Sequence, residues 1–207
     1  MKHSPISEAP GSTIWPVIYD ERMERRDQIV ESALQVVAQG GFKALTHRRV
    51  DRAAGLVEGS TGNHFPRRAD LVRAVIRRVS ERDRQVFHEL RASTVTTPER
   101  LADVLTQGVM RMTAPDYAVF ARVRLLLLPT GSDDAAQLHG VVLELLEATL
   151  TRLGLSDAPV RARTVAALFD GSILHTVSVD PRPLDPVALS DAFVLLLTRP
   201  LGVSAVQ

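Results

Sequence analysis

The sequence contains no cysteine, which removes disulfides, thiolate zinc sites, iron–sulfur clusters and thiol nucleophiles from consideration. Aromatic residues are scarce, at 4% of 207 residues with one Trp and two Tyr, so the core must be built from Leu, Val and Ala. No stretch approaches the roughly 20 consecutive apolar residues of a membrane span. The densest run, Leu125 to Leu128, follows Arg122 and Arg124 and stops at Pro129. The opening residues lack the continuous apolar segment of a secretory signal, because Pro5, Glu8, Pro10 and Pro16 interrupt it. A cytoplasmic protein is therefore expected. The formal net charge is only +1, which excludes a uniformly basic chain.

Enzymatic signatures are missing too. There is no His-Glu-x-x-His, no Gly-x-Ser-x-Gly and no Walker A loop, and Gly59-Ser60-Thr61-Gly62 is not followed by the Gly-Lys-Ser/Thr that cradles phosphates. The six histidines, at positions 3, 47, 64, 88, 139 and 175, have no metal-like spacing. Neither catalysis, nor a metal, nor a cofactor is expected.

What is present is an uneven distribution of charge. Residues 1 to 91 carry 16 basic and 12 acidic side chains, and the remainder carries 9 and 12. Between Gly40 and Ser80, Lys43, Arg48, Arg49, Arg52, Arg67, Arg68, Arg73, Arg77 and Arg78 stand against Asp51, Glu58 and Asp70. Such a concentration marks a phosphate-binding surface if folding gathers it on one face, and a solvated arginine-rich surface otherwise.

The hydrophobic periodicity is helical throughout. Residues 1–20, with their prolines and Gly11, read as a flexible arm, although Trp15 and Tyr19 would then sit in water. From about Glu21 the apolar residues Ile29, Val30, Ala33, Leu34 and Val37 form one stripe, and Gly40-Gly41 ends that helix. Thr46 suits the N-cap of a short second helix with Val50 and Ala53 toward the core, and Gly55 supplies a turn. A third short helix is expected from about Glu58 to His64, closed by Phe65-Pro66. A longer helix follows, with Leu71, Val72, Val75, Ile76 and Val79 on one stripe. After Thr97-Pro98 five more helices are expected, over Glu99–Met112, Asp116–Leu128, Asp134–Leu153, Val160–Val179 and Pro186–Thr198, separated by proline and glycine. No segment alternates as a strand, so the fold class is all-α.

The short helix, glycine turn and short helix read as a helix-turn-helix, in which one helix braces the DNA backbone and the next enters the major groove. Over Arg22 to Ile76 the chain resembles the TetR family of one-component regulators. The likeness is carried by Gly41-Phe42, Thr46, Ala54-Gly55-Leu56, Gly59-Ser60, His64-Phe65 and Leu71. It implies a helix-turn-helix DNA-binding domain over 21–66 and a helical ligand-binding and dimerisation domain over 67–207. Thr46 is then a phosphate contact, and Arg48 and Arg49 extend toward the DNA backbone or a base edge. Ser60, Thr61 and Asn63 are candidates for base or phosphate contact, and His64, Arg67 and Arg68 for phosphate. Four positions depart from the family pattern: Val57 replaces a Ser or Thr that would cap the recognition helix, Glu58 replaces a basic residue, and Gly62 and Asn63 replace aromatics. Two glycines in one short helix cost about 2 kcal/mol relative to alanine. A recognition helix held by Leu56 and Phe65, and fully ordered only on DNA, is the expectation.

The resemblance further implies a homodimer on a near-palindromic double-stranded DNA operator, and an unidentified small-molecule effector that releases it, usually ending repression. Phe169, Ile173, Val177, Phe193, Leu196 and Leu197 are the expected interface residues. Arg122, Arg124, His139, Asp170 and His175, polar within apolar helices, are the expected ligand contacts. The competing class is an all-α interaction module whose helix-turn-helix does not bind DNA, which Glu58 and the paired glycines favour.

Overall fold

The computed structural model describes residues 14–90, 92–127 and 133–200, with side chains from Glu24 onward except those of 93, 133–139 and 141. The described residues are helical and contain no strand. Helix α1 spans Ile14–Ala44, α2 His47–Ala54, α3 Ser60–His64 and α4 Arg68–Glu89. They are followed by α5 (Pro98–Met112), α6 (Ala118–Leu127), α7 (Asp133–Arg152), α8 (Ala158–Leu174) and α9 (Pro186–Thr198). Short 3₁₀ turns, Ala92–Thr94 and Pro115–Tyr117, precede α5 and α6, and a π turn, His175–Val179, extends α8.

The first helix begins at Ile14, not near Glu21, which corrects the boundary of the expected arm. Pro16 stands in the first turn, where its missing N–H breaks no intrahelical bond, so nothing halts the helix there. Residues 1–13 lie outside the described residues. At the other end Gly41 leaves helical geometry at φ 69°, as the paired glycines predict. The expected segment starting at Asp116 divides into the 3₁₀ turn and α6. The one expected to run to Val179 closes as α8 with the π turn.

Start signals repeat along the chain. Thr46 accepts from Arg49 N at the head of α2, and Thr97 accepts from Arg100 N at the head of α5 with Pro98 behind it. Asp185 accepts from Val187 N and Ala188 N at the head of α9. Each satisfies an amide that the helix itself leaves unpaired.

Two apolar clusters form the interior. One gathers Ile29, Ala33, Leu34 and Val37 of α1, Leu45, Val50 of α2, Phe65, and Leu71, Val75 and Val79 of α4, together with Val123 and Leu127 of α6. The other joins Val86 at the far end of α4 to α5, Tyr117, Ala121, and the inward faces of α7, α8 and α9. Helix α4 therefore belongs to both. In α2 the sequence expectation is half met: Val50 is buried, but Ala53 faces solvent and Asp51 is turned inward at 2% exposure.

Candidate nucleic-acid interface

The α2–α3 unit is built on a charged residue in its interior. The Asp51 carboxylate accepts from Gly59 N at 2.8 Å, Thr61 N at 2.7 Å and Thr61 Oγ1 at 2.6 Å. Burial pushes its pKa up, but the hydrogen bonds from Thr61 and Gly59, with His47 nearby, outweigh that and hold it below the ordinary carboxylate value. The turn between the helices closes through Gly55, a left-handed C-cap at φ 66° that donates to Arg52 O. Leu56 N donates back to Asp51 O. Gly59 at φ 97° is the N-cap of α3 and brings no side chain to it. Asp51 thus supplies from a neighbouring helix the cap that Val57 cannot.

The C-terminal end of α3 is held by three elements. Phe65 is buried, Arg26 of α1 stacks 4.3 Å above its ring and donates to His64 O, and His47 Nε2 donates to Phe65 O at 2.7 Å. These contacts hold α3 at both ends, in addition to the packing of Leu56 and Phe65.

Against this frame the expected DNA contacts divide. Thr46, Arg48, Arg49, Asn63 and Arg67 are exposed, and Ser60 and His64 are partly so. Thr46 Oγ1 uses a lone pair on Arg49 N, which leaves its proton for an anion. Arg48 Nε lies 3.6 Å from Glu58, so the carboxylate that departs from the family pattern has a cation beside it. Thr61 is a different case: it is fully buried and its hydroxyl goes to Asp51, which makes it a support of α3. Arg68 is exposed yet donates from Nε to Leu45 O at 2.9 Å and from Nη2 to Phe42 O. It closes the end of α1. Gly62 faces open space, with no atom within 4 Å of where a methyl would lie.

Sequence reasoning missed Asp51, His47 and Arg26. Their partners are backbone atoms or lie many positions away, and neither kind of contact leaves a periodic trace.

The expected ligand contacts separate as well. Arg124 and Asp170 are bonded to each other: Arg124 Nη2 donates to Asp170 at 2.9 Å, Nη1 donates to Asp83 of α4, and Tyr117 Oη donates to the same Asp83. Arg124 and Asp83 are buried, and Arg124 Nε has no hydrogen-bond partner among the described residues. Burial lowers the Arg124 pKa, but the two carboxylates dominate and raise it; burial and the charge of Asp83 push the Tyr117 phenol well above its usual value. Arg122 and His175 are exposed. The side chain of His139 lies outside the described residues.

Of the expected interface residues, Phe169, Ile173, Phe193 and Leu197 are buried within the single chain, Phe169 against Phe87 with ring centroids 5.9 Å apart. Val177 and Leu196 pack on the same cluster and are partly buried. Those stripes are the apolar sides of α8 and α9, and they serve the chain's own core. The exposed large apolar residues of these helices are Val160, Leu174, Val187 and Leu195.

No family model and no curated protein matches the chain. Solved structures do match. A member of the TetR family from Streptomyces coelicolor A3 is 26% identical over 84% of this chain and 98% of its own, with a TM-score of 0.70. The multidrug binding protein EbrR complexed with malachite green is 28% identical over 84% and 98%, at 0.68. A transcriptional regulator from Rhodococcus sp. Rha1 shares the fold at 19% identity, over 83% and 93%, at 0.67. The chain has the all-α fold of TetR-family transcriptional regulators over most of its length, and the resemblance read from Arg22 to Ile76 agrees with it.

Proposed function

We propose that the protein is a DNA-binding transcriptional regulator that binds a near-palindromic operator as a homodimer, represses from it, and is released by a small-molecule effector. The observation that carries this is the division within α2 and α3: Val50, Asp51, Thr61 and Phe65 point inward while Thr46, Arg48, Arg49, Asn63 and Arg67 point out. That leaves hydrogen-bonding and cationic side chains on a pair of short helices of the size the major groove admits. Residues 21–66 form the DNA-binding domain in this reading, and 67–207 bind the effector and dimerise. Solved complexes of EbrR with imidazole, ethidium, malachite green and proflavin make an apolar or amphipathic small molecule the effector class to test first.

The dimer contact falls on the outer faces of α8 and α9. Val160, Ala167, Gly171 and Leu174 lie along one exposed face of α8, and Val187, Ala188 and Leu195 along α9. A second copy covers them and brings two recognition helices about 34 Å apart or more. No helix among the described residues is long and apolar enough to cross a membrane.

Selection of genomic DNA with the purified protein tests the reading. A duplex recovered this way should bind with an affinity that falls steeply as salt rises, through counterion release. Arg49→Ala and Asn63→Ala should weaken that binding and leave the dimer intact. Absence of any saturable, sequence-dependent binding would refute the proposal and favour a protein-interaction module.

A further inference from the structure

We propose that Asp51 is the positioning residue of the recognition helix: its buried carboxylate, shared among Gly59 N, Thr61 N and Thr61 Oγ1, sets the angle at which α3 meets DNA. The role on DNA rests on the DNA-binding reading above; the anchoring of α3 does not.

Helix α3 has five residues and a glycine N-cap without a side-chain bond. A helix that short has no internal source of order: its first amides lack intrahelical partners, and Gly62 lowers its propensity further. Asp51 pairs the amides of Gly59 and Thr61 at once. It does so from α2, the helix that carries Thr46, Arg48 and Arg49 on its outer side. One carboxylate thereby fixes the candidate base-reading helix relative to the candidate backbone-bracing helix. Its negative charge also lies at the positive end of the α3 dipole.

The anchor needs a carboxylate. Three donors converge on two oxygens, so an amide would present one acceptor and turn an NH₂ group toward an N–H. Buried among donors with no cation bonded to it, the anion is stabilised by hydrogen bonds and depends on all of them. Thr61 fits this account. A hydroxyl in the middle of a recognition helix is ordinarily read as a DNA contact, but here it is wholly buried and bonded to Asp51.

The test uses the full chain, the duplex recovered by genomic selection, and a scrambled duplex of equal length. Asp51→Asn should lose about tenfold or more in affinity for the selected duplex, with little change on the scrambled one, since charge-assisted hydrogen bonds are the ones removed. Amide exchange should quicken across Gly59–His64 and stay at the wild-type rate in the middle of α1 and α4. Thr61→Val should share the defect in part, and Thr61→Ser, which keeps the hydroxyl, should restore wild-type behaviour. Unchanged exchange over Gly59–His64 together with an unchanged ratio of selected to scrambled affinity in Asp51→Asn would overturn the proposal. Where Asp51→Asn also quickens exchange throughout α1, the Thr61 pair decides: Thr61→Val identical to wild type in both measurements overturns it. If wild type binds no duplex, the DNA reading fails on its own, and exchange over Gly59–His64 still decides whether Asp51 anchors α3.

Discussion

Replacing Arg124 with Met tests the buried charge network most directly. Its guanidinium bonds Asp83 on α4 and Asp170 on α8 from a position of 5% exposure, and Asp83 is equally enclosed. Met fills much of the same volume but takes the shared cation away from both carboxylates. Asp83 keeps one donor, Tyr117 Oη. Removing one partner of a buried ion pair costs about 3–5 kcal/mol, mostly as the penalty of the charge left behind. The penalty falls mainly on Asp83, the carboxylate enclosed at 5% exposure. Urea unfolding at fixed protein concentration should show a lower midpoint with the m-value unchanged. Adding Asp83→Asn and Asp170→Asn to Arg124→Met should recover stability, since no buried charge remains. A loss of less than about 1 kcal/mol, or a triple variant weaker than the single one, would refute the view that the charges are desolvated and interdependent.

Gly62→Ala should raise stability by about 1 kcal/mol by thermal unfolding, because the added methyl meets no protein atom and alanine favours the helix. The same variant should bind the selected duplex more weakly, since that open space is where DNA backbone would approach. Leu174→Glu with Leu195→Glu should turn a dimer into a folded monomer by sedimentation, whereas Phe193→Ala should cost about 3–5 kcal/mol of stability, because its ring is in the chain's own core. Asp51 has a folded-state pKa held below its ordinary value, so its contribution is complete above the unfolded value of about 3.9 and is lost as pH falls through the folded one. Amide protection of α3 relative to α1 should therefore be flat from pH 8 to 5 and decline only in stronger acid.

The parts of the fold legible in the sequence are those that repeat. The α1 stripe, the caps at Thr46, Thr97 and Asp185, and the break at Gly41 all follow from spacing or from one residue's backbone preference. Which apolar stripe meets which partner is not a local property. Phe169, Ile173, Phe193 and Leu197 have the pattern of an interface and that of a core equally, and only the packing of α5 through α9 decides between them. At the candidate interface the exposed residues were legible because the family pattern names them. Thr61 was misplaced because its neighbour in space, Asp51, is ten positions away and has no motif of its own.

The proposed DNA-binding unit over 21–66 is also not self-sufficient in packing. The cluster beneath α2 and α3 is completed by Leu71, Val75, Ile76 and Val79 of α4 and by Val123 and Leu127 of α6. Cut at Pro66, that surface would face water: burying one such side chain is worth about 1.5–3 kcal/mol, so the six together approach or exceed the whole stability of a small domain, about 5–15 kcal/mol. One turn of α6 separates the two environments, since Val123 and Leu127 face the first cluster while Ala121 joins the second and Arg124 carries the ion pairs. Residues that hold α2 and α3 in place are thus on the same short helix as residues bonded to α4 and α8. The two apolar clusters thus share this helix, with the Asp83–Arg124–Asp170 network on the same turn as the residues that complete the packing beneath α2 and α3.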